Sequence, residues 1–433
     1  MYLRGNEIMY LISSMGGIAH TLENVYQMTE DVDYDILVKA VEKVNESYPM
    51  FASALGIDSD GKFCIEKTDA PVPVFQDESP KCLGSDETNG YMYKVCCKDQ
   101  TIEFDIMHAL TDAKGSLLYS RAVLYMYLRY KYNISCDDKF EEEVLEFNFE
   151  DVQKVPFDYI VDEGINCKDI LGSIIAENQK EDSVTLNSIE DSAYEEQCII
   201  EYDSDTLVEK AKNIGASVVT LIISLMEKTI AEVVDAGDKN ILVSVPAELR
   251  SRFGVKSQAN YSTGAIEFCY TKNDNDNDIE EIAKTSRAKI KSMDIKSAGI
   301  ADVVKNRAEE DALEKVSFNN RDKVNAITNQ MKNTPAPHTF TASDAGRIVL
   351  SEDMEKYVVS SMCYLRRGII NGCGIVISSY KNVGHIDMLF SPEYECLINR
   401  FSENMSKLGI SNKIRHLERN DADTFCLDRV LEV

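Results

Sequence analysis

Between residues 101 and 132 the hydrophobic pattern of the chain changes period. Ile102, Phe104 and Ile106 alternate with Glu103 and Asp105, the period of a strand with one buried face. The polar run Thr111-Asp112-Ala113-Lys114-Gly115 predicts a turn, and from Ser116 onward the period becomes helical. Leu117, Leu118, Ala122, Val123 and Met126 then form an apolar face. His108 therefore stands where a strand stops, with the carboxylate of Asp112 shortly after it. A side chain at such an edge projects into a cleft while rigid elements hold it on both sides.

The same reading along the rest of the chain predicts alternating strands and helices. Residues 24 to 49 read as a strand followed by a helix whose apolar face is Ile36, Leu37, Ala40, Val41 and Val44, capped by Asp33 or Asp35. Short strands follow at 51 to 66 and 91 to 97, with Gly61 and Gly90 as turns. Periodicity then lapses from 135 to 195, where acids accumulate. Helices are expected at 207 to 214, closed by Gly215, and at 217 to 235, apolar on most sides. Strands are expected at 241 to 245 and 265 to 270. A helical stretch runs from 279 to 332 with a break near Ser317. Strands return at 339 to 343, 357 to 364, 374 to 379 and 386 to 390, before a last helix from 392 to 408. This order suits an α/β (α+β) chain of two subdomains, 1–160 and 196–433, joined by a crossover linker at 161–195.

Composition narrows the function. The formal charge of −28 disfavours nucleic acid, whose phosphates would be repelled, and an anionic ligand would need a local basic patch. The candidate clusters are Arg250, Arg252 and Lys256, and Lys284, Arg287, Lys289 and Lys291, both readable as solvated faces. No apolar run is long enough for a membrane span, and the N-terminus lacks the pattern of a secretory signal. The twelve cysteines are scattered without a CxxC, so free thiols in a reducing, cytoplasmic setting are expected. His20, His338, His385 and His416 share no metal spacing, and no metal is expected.

Several stretches, in order, resemble the acyltransferase superfamily of chloramphenicol acetyltransferase, alcohol acetyltransferases and peptide-synthetase condensation domains. The central one is His108-Ala109-Leu110-Thr111-Asp112-Ala113-Lys114-Gly115, against a family pattern of His, three residues, Asp, Gly. VDYDILVKAVEKVNESYPMF is similar to the opening helix that ends in Tyr-Pro. VSVPAELRSRFGVKSQANYSTGAIEF is similar to the strand, Leu-Arg turn and Asn-bearing segment, and FTASDAGRIVL to the Ser-Asn-x-Gly stretch. The resemblance implies two chloramphenicol-acetyltransferase-like subdomains, each a mostly mixed sheet flanked by helices, with an active-site tunnel between them.

It also implies roles. His108 would be the general base for acyl transfer from acyl-coenzyme A to a hydroxyl or amine of a small-molecule acceptor. Asp112 would be a structural brace paired with Arg250, and Ser343 an oxyanion donor. His20, Ala113, Gly115, Arg250, Asn260 and Ser262 would shape the substrate channel. Three departures bear on this. Ala113 replaces the family glycine, which predicts strain if that turn takes a positive φ, and a narrowed tunnel. Met107 replaces a second histidine, favouring a free-standing enzyme over one fed by an acyl carrier protein. Asp344 replaces an asparagine. A binding protein that keeps the fold without turnover is the alternative from another class.

Overall fold

The N-terminal half opens with α1 (Asn6–Met15), β1 (Thr21–Met28) and α2 (Tyr34–Asn45). Asp33 caps α2, its carboxylate accepting from the Ile36 amide at 3.1 Å, and the helix buries Leu37, Ala40, Val41 and Val44. The hairpin β2 (Ser53–Ile57) and β3 (Phe63–Lys67) follows, then the short strands β4 (Val74–Gln76) and β5 (Cys82–Leu83). β6 (Tyr93–Lys98) and β7 (Thr101–Met107) lead into α3 (Ala113–Tyr132) and α4 (Asp138–Leu145). The computed structural model describes residues 3, 6–15, 20–59, 62–78, 80, 82–145, 182–186, 196–234, 237–253, 263–275, 277–301, 304, 322, 324–326, 338–366, 373–417 and 424–425. Most of the expected crossover linker, Gly61, and most of the helical stretch expected after 301 lie outside these residues.

The C-terminal half supplies β8 (Glu196–Asp203), β9 (Ile241–Glu248), β10 (Thr263–Tyr270), β11 (Phe340–Ile348), β12 (Val358–Arg366), β13 (Cys373–Tyr380), β14 (Val383–Phe390), β15 (Asn412–His416) and β16 (Thr424–Phe425). Among the described residues the larger sheet has the order β10-β9-β11-β13-β14-β8-β15, with β11 parallel to both its neighbours. Its core face packs the helices Val218–Val233, Ile279–Ser292 and Glu395–Lys407. Ser217 starts the first of these with a reciprocal cap to Thr220. Gly215 and Gly409 take φ of +76° and +80° where helices end, a conformation that costs glycine little. β8 and α1 carry no expectation from the sequence. β8 falls in the span between linker and helix, and α1 is too short for its apolar spacing to stand out.

The smaller sheet has the order β12-β1-β7-β6-β4. β12 belongs by sequence to 196–433 yet pairs along the length of β1, so the second subdomain lends a strand to the first. Its far face is a row of buried charges. Lys94 pairs with Asp105 at 3.1 Å, both 1% exposed, and Arg366 on β12 reaches Glu23 on β1 and Glu103 on β7. Glu23 also accepts from the Tyr364 hydroxyl. Burial, and then the carboxylates of Asp105 and Glu103, push the Glu23 carboxyl up, and Arg366 opposes them. β12 is therefore joined to the N-terminal sheet by charge as well as by backbone.

Removing Arg366 leaves two largely buried carboxylates beside Asp105 without their guanidinium. Arg366→Met is expected to destabilise the fold by about 3 kcal/mol, read as a lowered urea midpoint; an unchanged midpoint would show that the row is held by other means.

Candidate active site

β7 ends at Met107, and the chain turns into the space between the two sheets. The His108 amide donates to the His20 carbonyl at 2.7 Å, anchoring the turn to the start of β1. Asp112 then caps α3, its Oδ1 accepting from the Gly115 amide at 2.9 Å. This cap starts the helix at Ala113, three residues before the Ser116 that apolar spacing indicated. Ala113 is its first residue and is not among those with positive φ, so the expected strain is absent.

The His108 ring is set by three neighbours. Its Nδ1 lies 2.9 Å from the Thr111 carbonyl. A carbonyl only accepts, so Nδ1 carries the hydrogen and Nε2 keeps its lone pair. Tyr10 of α1 stacks on the ring with centroids 4.3 Å apart and planes 4° from parallel, and meets His20 edge-on at 5.0 Å. Burial lowers the His108 pKa, while its hydrogen bonds and the charge of Asp112 raise it in part. The His20 pKa is lowered to about 3, through burial and then the proximity of His108. Both rings are therefore neutral at pH 7.

Asp112 faces the other way. Arg250 donates to both of its oxygens at 2.9 Å, Thr263 donates to Oδ2 at 2.9 Å, and both members of the ion pair are 3% exposed. Arg250 follows β9 and Thr263 begins β10, so this one carboxylate ties α3 to the opposite sheet. It steadies the turn that carries His108, and the ring's Nδ1 is held by a carbonyl instead of by this aspartate.

A cavity of about 560 Å³ opens between the sheets. His20, His108, Asp112, Ala113 and Ser343 all line it. Gly115 and Arg250 are not among its lining residues; their part is the cap and the ion pair. Asn260, Ser262 and Lys256 lie outside the described residues. Ser343 and Thr341 reach the cavity from β11, and Asp344 folds back on its own strand, accepting from the Gly346 amide at 2.9 Å beside a bulge. Lys284 and Lys289 pair with Glu281 and Asp274, as solvated helix cations do. Sequence reading missed Tyr10, whose helix was not recognised, and Thr263, an ordinary strand residue until β10 reaches Asp112. Glu23, Glu103 and Asp105 are close enough to share a cation, but Arg366 and Lys94 already occupy that place.

No family model matches the sequence, and no curated protein is a significant match. Solved structures do match over nearly the whole chain. The cyclization-docking bidomain of the EpoB nonribosomal peptide synthetase from Sorangium cellulosum superposes with a TM-score of 0.63 at 11% identity, covering 94% of this chain and 83% of that one. The TRI3 trichothecene 15-O-acetyltransferase from Fusarium sporotrichioides gives 0.63 at 10% identity, covering 94% and 95%. TRI101 from F. graminearum, solved with coenzyme A and T-2 mycotoxin, gives 0.59 at 9% identity, covering 95% and 99%. The chain has the two-lobed fold of the condensation-domain and chloramphenicol-acetyltransferase-like proteins.

Asp112→Asn keeps the shape of the side chain and removes the bidentate carboxylate of the buried Arg250, leaving Glu248 at 3.8 Å as a weaker counter-ion. It is expected to destabilise the protein by about 3 kcal/mol, seen in chemical denaturation. Native stability combined with lost activity would instead give Asp112 a part in the chemistry.

Proposed function

We propose that the protein is an acyltransferase that moves an acyl group from acyl-coenzyme A to a hydroxyl or amine of a small molecule, with His108 as general base. The observation that supports this best is the committed Nδ1 hydrogen of His108, which leaves the Nε2 lone pair as the ring's proton acceptor in a cavity between the lobes. Nε2 takes the proton of the acceptor hydroxyl or amine as its oxygen or nitrogen attacks the thioester carbon. A tetrahedral oxyanion forms, and Ser343, on β11 across the cavity, is the donor proposed to stabilise it. The carbon–sulfur bond then breaks, and the proton passes from Nε2 to the leaving thiolate. The thioester is already activated, so no covalent enzyme intermediate is required.

Tyr10 supports this reading by stacking on the His108 ring, with His20 packed edge-on against Tyr10 in turn. The relatives by fold agree with it: one is named an O-acetyltransferase, and another was solved with coenzyme A. A carrier-bound donor is the second reading, favoured by the likeness to a peptide-synthetase domain. The absence of a positive φ at Ala113 supports turnover over a binding protein of the same fold. Cys97, Cys198 and Cys363 are unbridged buried thiols, consistent with a reducing, cytoplasmic setting. Among the described residues no single helix is long and apolar enough to cross a membrane.

His108→Ala is expected to lower the release of free thiol from acyl-coenzyme A by roughly 10²–10⁴-fold with the unfolding midpoint little changed. Equal rates for the two proteins would remove the general base from the scheme. The pH profile gives a second check. A base works when deprotonated, and burial holds the His108 pKa below the ordinary 6.5. The acid limb of kcat/KM is therefore expected below pH 6.5, with a plateau at neutrality; a limb above 6.5 would assign the proton to another group.

A further inference from the structure

The face of the His108 imidazole is covered by an aromatic ring, and its rim meets polar groups. Tyr10 lies over it with centroids 4.3 Å apart and planes 4° from parallel. At Nδ1 the partner is the uncharged Thr111 carbonyl, 2.9 Å away. The carboxylate that ends the same turn, Asp112, is engaged by Arg250, Thr263 and the Gly115 amide. Tyr10 is itself held from several sides. Its helix α1 buries Leu11 and Ile12 in the N-terminal core and touches β16, which pairs with β5. His20, just before β1, meets the tyrosine ring edge-on at 5.0 Å.

Stacking holds a neutral imidazole by dispersion, and it holds a charged one more strongly. The face of an aromatic ring carries negative potential, and a cation within about 6 Å of its centroid is attracted, most where water is excluded. In the acyl-transfer scheme His108 is such a cation for part of each cycle. Nε2 takes the acceptor's proton, the ring is an imidazolium while the tetrahedral oxyanion stands, and the proton then leaves with the thiolate. Burial works against that charge. The titratable groups facing the ring are Tyr10 from α1, His20 beside β1 and Asp112 at the head of α3; His20 stays neutral, and Arg250 offsets the charge of Asp112. Lys114, Arg121 and Arg347 line the rest of the cavity together with Glu143, Glu248 and Asp344, so both signs are present there.

We propose that Tyr10 is a positioning residue of this site whose ring face supports the His108 imidazolium, so that an aromatic ring gives the base the strength that its turned-away aspartate does not. The inference rests on the reading of His108 as the acyl-transfer base for its part in turnover, and on the stacked geometry alone for its effect on the ring. Two consequences separate it from packing. The face acts and the hydroxyl does not, so phenylalanine serves as well as tyrosine. Loss of the face also lowers the affinity of His108 for a proton, whereas loss of mere packing admits water and raises it.

The test compares Tyr10→Phe and Tyr10→Leu with the wild type in two ways. One is NMR titration of the His108 ring in the protein without substrates, its signal told from those of the other four histidines with His108→Ala. The other is the pH profile of thiol release from acetyl-coenzyme A with ethanol. Tyr10→Phe is expected to titrate with the wild type and to match its rate. Tyr10→Leu is expected to take its proton at a pH lower by roughly 0.4 to 1.5, with the acid limb of kcat/KM moved down alike and its plateau reduced roughly 2- to 30-fold. Unfolding midpoints show whether the variants fold, and Tyr10→Met, flexible enough to fill the same space, replaces a leucine variant that does not. The proposal is overturned by a titration that stays or rises in Tyr10→Leu, by a Tyr10→Phe as impaired as Tyr10→Leu, or by a wild-type ring that takes up no proton before the protein unfolds in acid. If the wild type releases no thiol, the acyl-transfer reading fails and the titration decides by itself. A lower value in Tyr10→Leu then upholds the support of the charged ring, and an equal or higher one ends it.

Discussion

One buried ion pair holds the site together. Asp112 and Arg250 meet through two hydrogen bonds of 2.9 Å with almost no access to water, on elements belonging to different sheets. A buried charge is tolerated only when its partner and its remaining lone pairs are satisfied, and here Thr263 and the Gly115 amide complete the set. The same carboxylate is the cap that decides where α3 begins. A single side chain thus sets the helix start, the turn that carries His108, and the distance between the lobes.

The electrostatics of the ring follow from that placement. His108 projects into a cavity while its backbone and Nδ1 are tied to His20 and Thr111. Burial lowers its pKa, and the hydrogen bonds hold the fall in check, so the ring stays neutral and basic at physiological pH. His20 next to it is held neutral down to about pH 3, so it adds no competing charge. Stacking by Tyr10 limits the ring to one plane. The base proposed at His108 would need these features, and they come from three separate segments of chain.

The two lobes do not divide cleanly, and the reason is physical. β12 leaves the C-terminal half to pair with β1, where Arg366 neutralises carboxylates on two strands. The other edge of the same strand is clamped to β14 by Asp387, whose carboxyl burial pushes up to about 7. β12 is thus both a wall of the cavity and the tie between the lobes. Its Leu365 lines the cavity, and the main-chain groups of that residue bond to Gln197 and Asp387.

Local pattern determined a good deal: the strand ending before His108, the capped helix at Asp33, the buried helix after Ser217, and the order of the C-terminal strands. Period reports which face of an element is buried, so these were legible from neighbours alone. The turn that carries Arg250 points to it as the partner of Asp112 only through a family resemblance. Period does not report what a buried face meets. The register of β12 on β1 joins Tyr364 to Glu23 across 341 positions, and no local pattern carries that pairing. The helical, unstrained φ of Ala113 follows from the local cap at Asp112, whereas the stacking of Tyr10 and the clamp at Asp387 depend on such contacts. Tertiary structure decided them because desolvation and hydrogen-bond matching act between segments that are distant in sequence.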